Sequence, residues 1–102
     1  MLLEEFNFKK EVLDDPGPVL VDFWAPWCGP CRAMNPAVQS LARRFKVCKV
    51  NIDSNQPLAA KFQVSAVPTF LIFRGGRAVK RFEGALPEAT LAAEMDTLAA
   101  AG

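Results

Sequence analysis

Between Val19 and Ile52 the chain reads strand, helix, strand, and that order leaves few folds open. "VLVDFW" is a nearly continuous apolar run, the mark of a strand covered on both faces. Met34, Val38, Leu41 and Phe45 then recur at i, i+4, i+7 and i+11, one stripe of a 3.6-residue helix. Projected backward, that helix begins near Cys28, with Pro30 in its first turn, where a missing N–H costs nothing. Pro36 falls inside it and predicts a kink. "VCKVNI" is a second strand. A unit of this kind makes its two strands parallel, joined by a right-handed crossover.

The flanking segments extend the pattern. "LLEEF" is a candidate strand, "NFKKEVL" a short helix with Asn7 as N-cap, and "DDPGP" a turn. "PLAAKF" after "DSNQ" reads as another short helix. "TFLIF" and "AVKRF" flank "RGGR", a hairpin signal. Leu91, Met95 and Leu98, at i, i+4 and i+7, make a closing amphipathic helix with Pro87 near its start. The expectation is an α/β fold, a mixed sheet with helices on both faces. At 102 residues the chain is expected to be a single domain, 1–102, burying roughly two thirds of its unfolded surface.

Composition removes several function classes. The net charge of +1 offers no bulk attraction for nucleic acid or an anionic membrane. Arg43, Arg44 and Lys46, and Lys80 with Arg81, read as solvated surface. No apolar run approaches the ~18 residues of a bilayer span. "MLLEEFNFKKEV" carries acids where a secretory leader carries lysines, so a cytoplasmic location is expected. Histidine is absent, which excludes histidine bases, histidine metal ligands and a Ser-His-Asp triad. The three cysteines, Cys28, Cys31 and Cys48, are too few and odd in number for a disulfide framework.

Two of them carry the chemistry. Cys28 sits at the helix start, facing unpaired backbone N–H groups and the positive end of the helix dipole. Both favour thiolate over thiol, and the thiolate is the nucleophile. Cys31 follows one turn later on the same face, with the two Cα atoms about 5 Å apart, inside the disulfide window. Gly29 leaves the flank of the nucleophile open. A bridge closing four residues stabilises by only roughly 2 kcal/mol in the chain-entropy picture, little for a staple. The spacing suits a bond that opens and closes. Half of a zinc site, a dormant structural bridge and two inert core cysteines are the competing readings. The zinc reading is short of ligands, since only Cys48 lies beyond the motif, and no metal is expected.

"WAPWCGPCR", "VNIDSN", "VSAVPTF" and "FEGAL" occur in this order, and through them the chain resembles the thioredoxin family from about Phe6 to Met95. The resemblance implies a five-stranded mixed sheet between helices, with no bound cofactor beyond a redox-active Cys28–Cys31 disulfide. It implies reduction of disulfides in client proteins and recycling by an NADPH-dependent thioredoxin reductase, by a monomer. Cys28 resembles the attacking thiol and Cys31 the resolving one. Asp22, an acid inside an apolar strand, reads from the residues alone as a carboxylate at a bend or paired with a neighbour. The family match at Asp22 and Lys49 implies a buried proton acceptor for the resolving thiol, its pKa raised by desolvation and opposed by Lys49. Trp24 reads as core packing and Trp27 as exposed active surface. Gly29, Pro30, Val67, Pro68 and Gly84, with Pro68 cis, resemble a flat apolar rim for docking clients.

The chain also departs from the family pattern. The connection at Phe45-Lys46-Val47 is shortened and lacks a glycine. Glu83 stands before Gly84 where an apolar residue is usual, which bears on partner choice. Cys48 is an extra thiol, sharing a strand face with Val50 and Ile52, and is read as core. A disulfide oxidase or isomerase is the rival within the same chemistry, disfavoured by the Gly-Pro dipeptide. A non-catalytic docking module is the rival outside it, disfavoured by the retention of both cysteines with Asp22 and Pro68.

Overall fold

The computed structural model describes residues 1–101. Five strands, β1 (Leu2–Leu3), β2 (Val19–Trp24), β3 (Lys46–Asn51), β4 (Thr69–Arg74) and β5 (Arg77–Glu83), form one sheet in the order β1-β3-β2-β4-β5. β1, β3 and β2 are parallel, β4 is antiparallel to β2, and β5 is antiparallel to β4. The helices are α1 (Gly29–Ala42), α2 (Gln56–Lys61) and α3 (Glu88–Ala100), and Lys9–Leu13 makes one wide π-type turn.

Strand alternation sends side chains into two cores. Val19, Val21 and Phe23 of β2, Cys48 and Val50 of β3, and Leu71 and Phe73 of β4 pack against Val12 of the π-turn and Ala59 of α2. On the opposite face Leu20, Val47, Phe70 and Ile72 lie beneath Met34, Val38 and Leu41 of α1 and Leu91 and Met95 of α3. Both faces of the central strands are therefore covered, as the apolar run "VLVDFW" predicts. Phe23, Phe70 and Phe73 are fully buried, and truncating any one of them to Ala is a loss of about 3–5 kcal/mol.

Several local expectations are modified. The first strand stops at Leu3, because Glu4 and Glu5 are exposed and leave the sheet. The "NFKKEVL" segment turns wider than an α-helix: the Asp14 N–H donates to Lys9 O at 2.8 Å, an i to i+5 bond. Asn7 still serves the start of that turn, its Oδ1 accepting from the Lys10 N–H at 3.0 Å. α1 continues through Pro36 to Ala42. The carbonyl that loses its donor there belongs to Arg32, on the solvent side of the helix. The short α1–β3 connection is closed by the Met1 ammonium, which donates to the carbonyls of Ala42 and Phe45. Gly75 and Gly76 both have positive φ, +60° and +78°, as a two-residue hairpin turn between β4 and β5 requires.

Candidate active site

Cys28 is the N-cap of α1, with φ −88° and ψ 109°, and its side chain turns back over the first turn of the helix. The Cys31 N–H donates to Cys28 Sγ at 3.1 Å. The two cysteines are joined as a disulfide with Cα atoms 5.3 Å apart, as the helical spacing anticipates. Pro30 lies in the first turn, where it takes no hydrogen bond away. When the bridge opens, the N–H aimed at Cys28 Sγ and the helix dipole both stabilise a thiolate there. Both cysteines are 4% exposed and pack with Ala25, beside Trp24, Ile52 and Val67. Cys28 Sγ lies 3.6 Å from the Val67 carbonyl oxygen. Arg32 donates to Pro26 O at 2.9 Å and ties the "WAPWC" loop to the helix start.

Asp22 lies on the sheet face that α1 covers, between Leu20 and Trp24 along β2. It is only 3% exposed. Among the described residues its Oδ1 has no hydrogen-bond partner. Burial pushes the carboxyl up to about 7, against the neighbouring Lys49 ammonium, which pulls it down. Lys49 is the register partner of Asp22 across the parallel β2–β3 pair. Its Nζ donates to Asn35 Oδ1 at 3.1 Å and sits 4.8 Å over the Trp24 ring. Trp24, read as core, is half-buried, with the Lys49 ammonium over its ring.

The residues expected to form a docking rim lie at different depths. Trp27 is 67% exposed, with its indole N–H 3.4 Å from Asp53 Oδ1. Gly29 and Pro30 are exposed, and nothing nearer than 3.9 Å would meet a Cβ at Gly29. The Val67–Pro68 bond is cis. Pro68 itself is buried, so the half-buried Val67 is what this segment offers at the surface. Gly84, at φ +88°, donates its N–H to Pro68 O at 2.8 Å and fastens the end of β5 to the Val67–Pro68 segment. The exposed Glu83 accepts from Arg81 Nε at 3.0 Å. Cys48 stands apart, fully buried in the opposite core, and burial pushes its thiol up to about 11.

Asn35, Arg32 and Asp53 join the site without having been singled out in the sequence. Arg32 and Asp53 lie within the quoted "CGPCR" and "VNIDSN" segments. Asn35, half-buried at the flank of the apolar stripe of α1, carried no signal. Among the described residues no group of three or more His, Cys, Asp or Glu side chains could hold a metal ion.

This fold, with a disulfide across the first turn of the helix after the central strand, defines a disulfide oxidoreductase working by dithiol–disulfide exchange. Residues 1–97 match the family model described as Thioredoxin. The chain is 47% identical over 94 residues to "Thioredoxin 1" of Nostoc sp., covering 88% of each chain. It is 44% identical over 94 residues to "Thioredoxin" of Pseudomonas aeruginosa, covering 88% of this chain and 87% of that one. A solved mutant thioredoxin from Halobacterium salinarum superposes with a TM-score of 0.87 at 33% identity, covering 96% of this chain and 90% of the other. The chain belongs to the thioredoxin family, as its motifs imply.

Proposed function

We propose that the chain is a single-domain protein-disulfide reductase acting through Cys28-Gly29-Pro30-Cys31, and that an NADPH-dependent thioredoxin reductase returns it to the dithiol form. In the forward reaction the Cys28 thiolate attacks one sulfur of a client disulfide. A Cys28–client bond forms, and the other client sulfur leaves with the electron pair and takes up a proton. Cys31 then gives its proton to the Asp22 carboxylate and attacks Cys28 Sγ. The Cys28–Cys31 bond forms, the Cys28–client bond breaks, and the second client sulfur leaves as a thiolate. Two electrons pass from the dithiol to the client, and no bound cofactor takes part. Lys49 moderates the basicity of Asp22. Trp27, Gly29, Pro30, Val67, Pro68 and Gly84 form the surface on which the client docks. The protein works as a monomer in the cytoplasm, without nucleic acid or membrane. No helix among the described residues is long and apolar enough to cross a membrane.

The observation that carries this reading is the Cys31 N–H bond to Cys28 Sγ at the mouth of α1, which favours one of the two sulfurs as the thiolate. The test is insulin disulfide reduction driven by NADPH and a thioredoxin reductase. Turnover that depends on both cysteines supports the reading. Oxidation of a reduced client in preference to its reduction would establish the oxidase alternative instead.

A further inference from the structure

Lys49 stands opposite Asp22 in the β2–β3 register, yet its ammonium turns elsewhere. Nζ donates to Asn35 Oδ1 at 3.1 Å, lies 3.9 Å from Glu4 Oε1, and rests over the Trp24 ring at 4.8 Å. Among the described residues Asp22 Oδ1 receives no hydrogen bond although it is buried. A buried carboxylate and ammonium on adjacent strands each gain by closing into a hydrogen-bonded pair, because an uncompensated buried charge is costly. Here the amide oxygen of Asn35, one turn beyond Cys31 on α1, takes the ammonium's hydrogen bond instead. Glu4 is mostly exposed and more distant, so solvent screens its hold. The attraction of the Trp24 ring is less directional. Asn35 alone of the three offers a short, directed bond.

We propose that Asn35 is a positioning residue for the resolution step: its amide oxygen holds the Lys49 ammonium back from Asp22 and leaves that carboxylate free to take the Cys31 proton. This rests on the reading of Asp22 as the acceptor of that proton. A carboxylate hydrogen-bonded to an ammonium is a weaker base, and proton transfer slows as acceptor and donor basicity move apart. The groups around Asp22 leave few other routes to the same effect. β3 presents Lys49, and α1 contributes Asn35, which meets that ammonium, and the two cysteines, which are bridged to one another. β4 presents Phe70, which carries no charge, and α3 contributes Leu91 and Met95 to the core beneath α1. Glu4, from the N-terminal segment, meets Lys49.

The test is carbon-13 NMR titration of the Asp22 carboxyl in the reduced full chain, with single-turnover release of the second client thiol measured from about pH 5 to 9. Asn35→Ala, Asn35→Gln, Lys49→Met and the Asn35→Ala/Lys49→Met pair are compared. Asn35→Ala favours the helix and keeps the fold. It should lower the Asp22 midpoint by about one pH unit or more and slow resolution about three- to tenfold near neutrality. Asn35→Gln, which keeps an amide oxygen, should stay near wild type. Lys49→Met should raise the midpoint, and the double variant should match it, since no ammonium remains to be released. An Asn35→Ala midpoint equal to wild type would overturn the proposal, as would an equal effect of Asn35→Ala with and without Lys49. The reading beneath it fails separately: Asp22→Asn would then leave resolution unchanged, while the midpoints still report where the ammonium goes.

Discussion

The Cys31 N–H points at Cys28 Sγ from 3.1 Å, so under the proposed mechanism the resolving residue also supplies a hydrogen bond to the sulfur that attacks first. The two sulfurs are chemically alike, and only their places at the helix start separate them. Cys28 is at the cap, and Cys31 is one turn further in, where both pack beside Ala25.

The first prediction follows from that asymmetry. Cys31→Ser keeps the backbone N–H and the attacking thiol but removes the resolving one, so mixed disulfides with client proteins should accumulate on Cys28. Cys28→Ser should trap nothing, and reductase-coupled turnover should vanish in both variants. Mass spectrometry of the trapped adducts decides the assignment, and adducts held through Cys31 would reverse it.

Asp22 gives a prediction about stability. Its folded pKa of about 7 lies above the ordinary 3.8, because burial outweighs the pull of Lys49. A group with a raised folded pKa stabilises fully below its unfolded pKa. That contribution declines as pH rises from about 4 and is gone once pH passes about 7. At ~1.4 kcal/mol per pH unit, the displacement corresponds to roughly 4 kcal/mol as an upper bound. Asp22→Asn removes the titration, so it should be more stable than wild type near pH 8, with the difference shrinking towards pH 4. It should also resolve mixed disulfides more slowly at neutral pH, by roughly ten- to a thousandfold if Asp22 is the proton acceptor. Denaturant melts at several pH values with single-turnover kinetics check both halves. An Asn variant less stable than wild type at pH 8 would mean that pairing with Lys49 outweighs burial.

What was legible in the sequence follows from which interactions are local. The strand-helix-strand order, the cysteine spacing and the hairpin glycines are set by periodicity and turn chemistry within a few residues, and each is found where the pattern puts it. Asp22 was visible as a charge inside an apolar run. The end of the first strand at Leu3 was not, because nothing local to Leu2 and Leu3 says that Glu4 turns towards Lys49. The wide turn at Lys9–Leu13 differs from an α-helix by one residue of hydrogen-bond span, which no periodicity in five residues can reveal. Asn35 illustrates the limit. Its partner is on another element, and a half-buried amide beside a proline has no pattern to betray it.

Gly84 provides a prediction at the rim. Its φ of +88° is one that residues with a Cβ adopt only with strain, and its N–H holds Pro68 O at 2.8 Å. Gly84→Val should destabilise by about 1–3 kcal/mol and displace the Val67–Pro68 segment from the disulfide. Protein disulfides should then be reduced several-fold more slowly, while small aromatic disulfides, which need only the sulfur, should react nearly as before. Paired assays on insulin and an aromatic disulfide separate these. Equal losses on both would show that Gly84 supports the cysteines themselves rather than client docking.

Cys48 yields the last prediction. It is fully buried between β-sheet and α2, and burial pushes its thiol up to about 11. Only the thiolate reacts at a useful rate, and below that pKa the folded state holds the proton. Treatment of the reduced protein with iodoacetamide near pH 8 should therefore modify Cys28 first and leave Cys48 untouched, and denaturant should open all three cysteines to the reagent. Raising the pH towards 10 should accelerate Cys48 little, because access as well as ionisation is denied until the core opens. Cys48→Ala should leave reductase-coupled turnover unchanged and lower stability by about 1 kcal/mol, the loss of one small buried side-chain atom. Peptide mapping of the alkylated protein measures the order of reaction. Labelling of Cys48 at a rate comparable to Cys28 in the folded state would identify it as a reactive, regulatory thiol instead of a core residue.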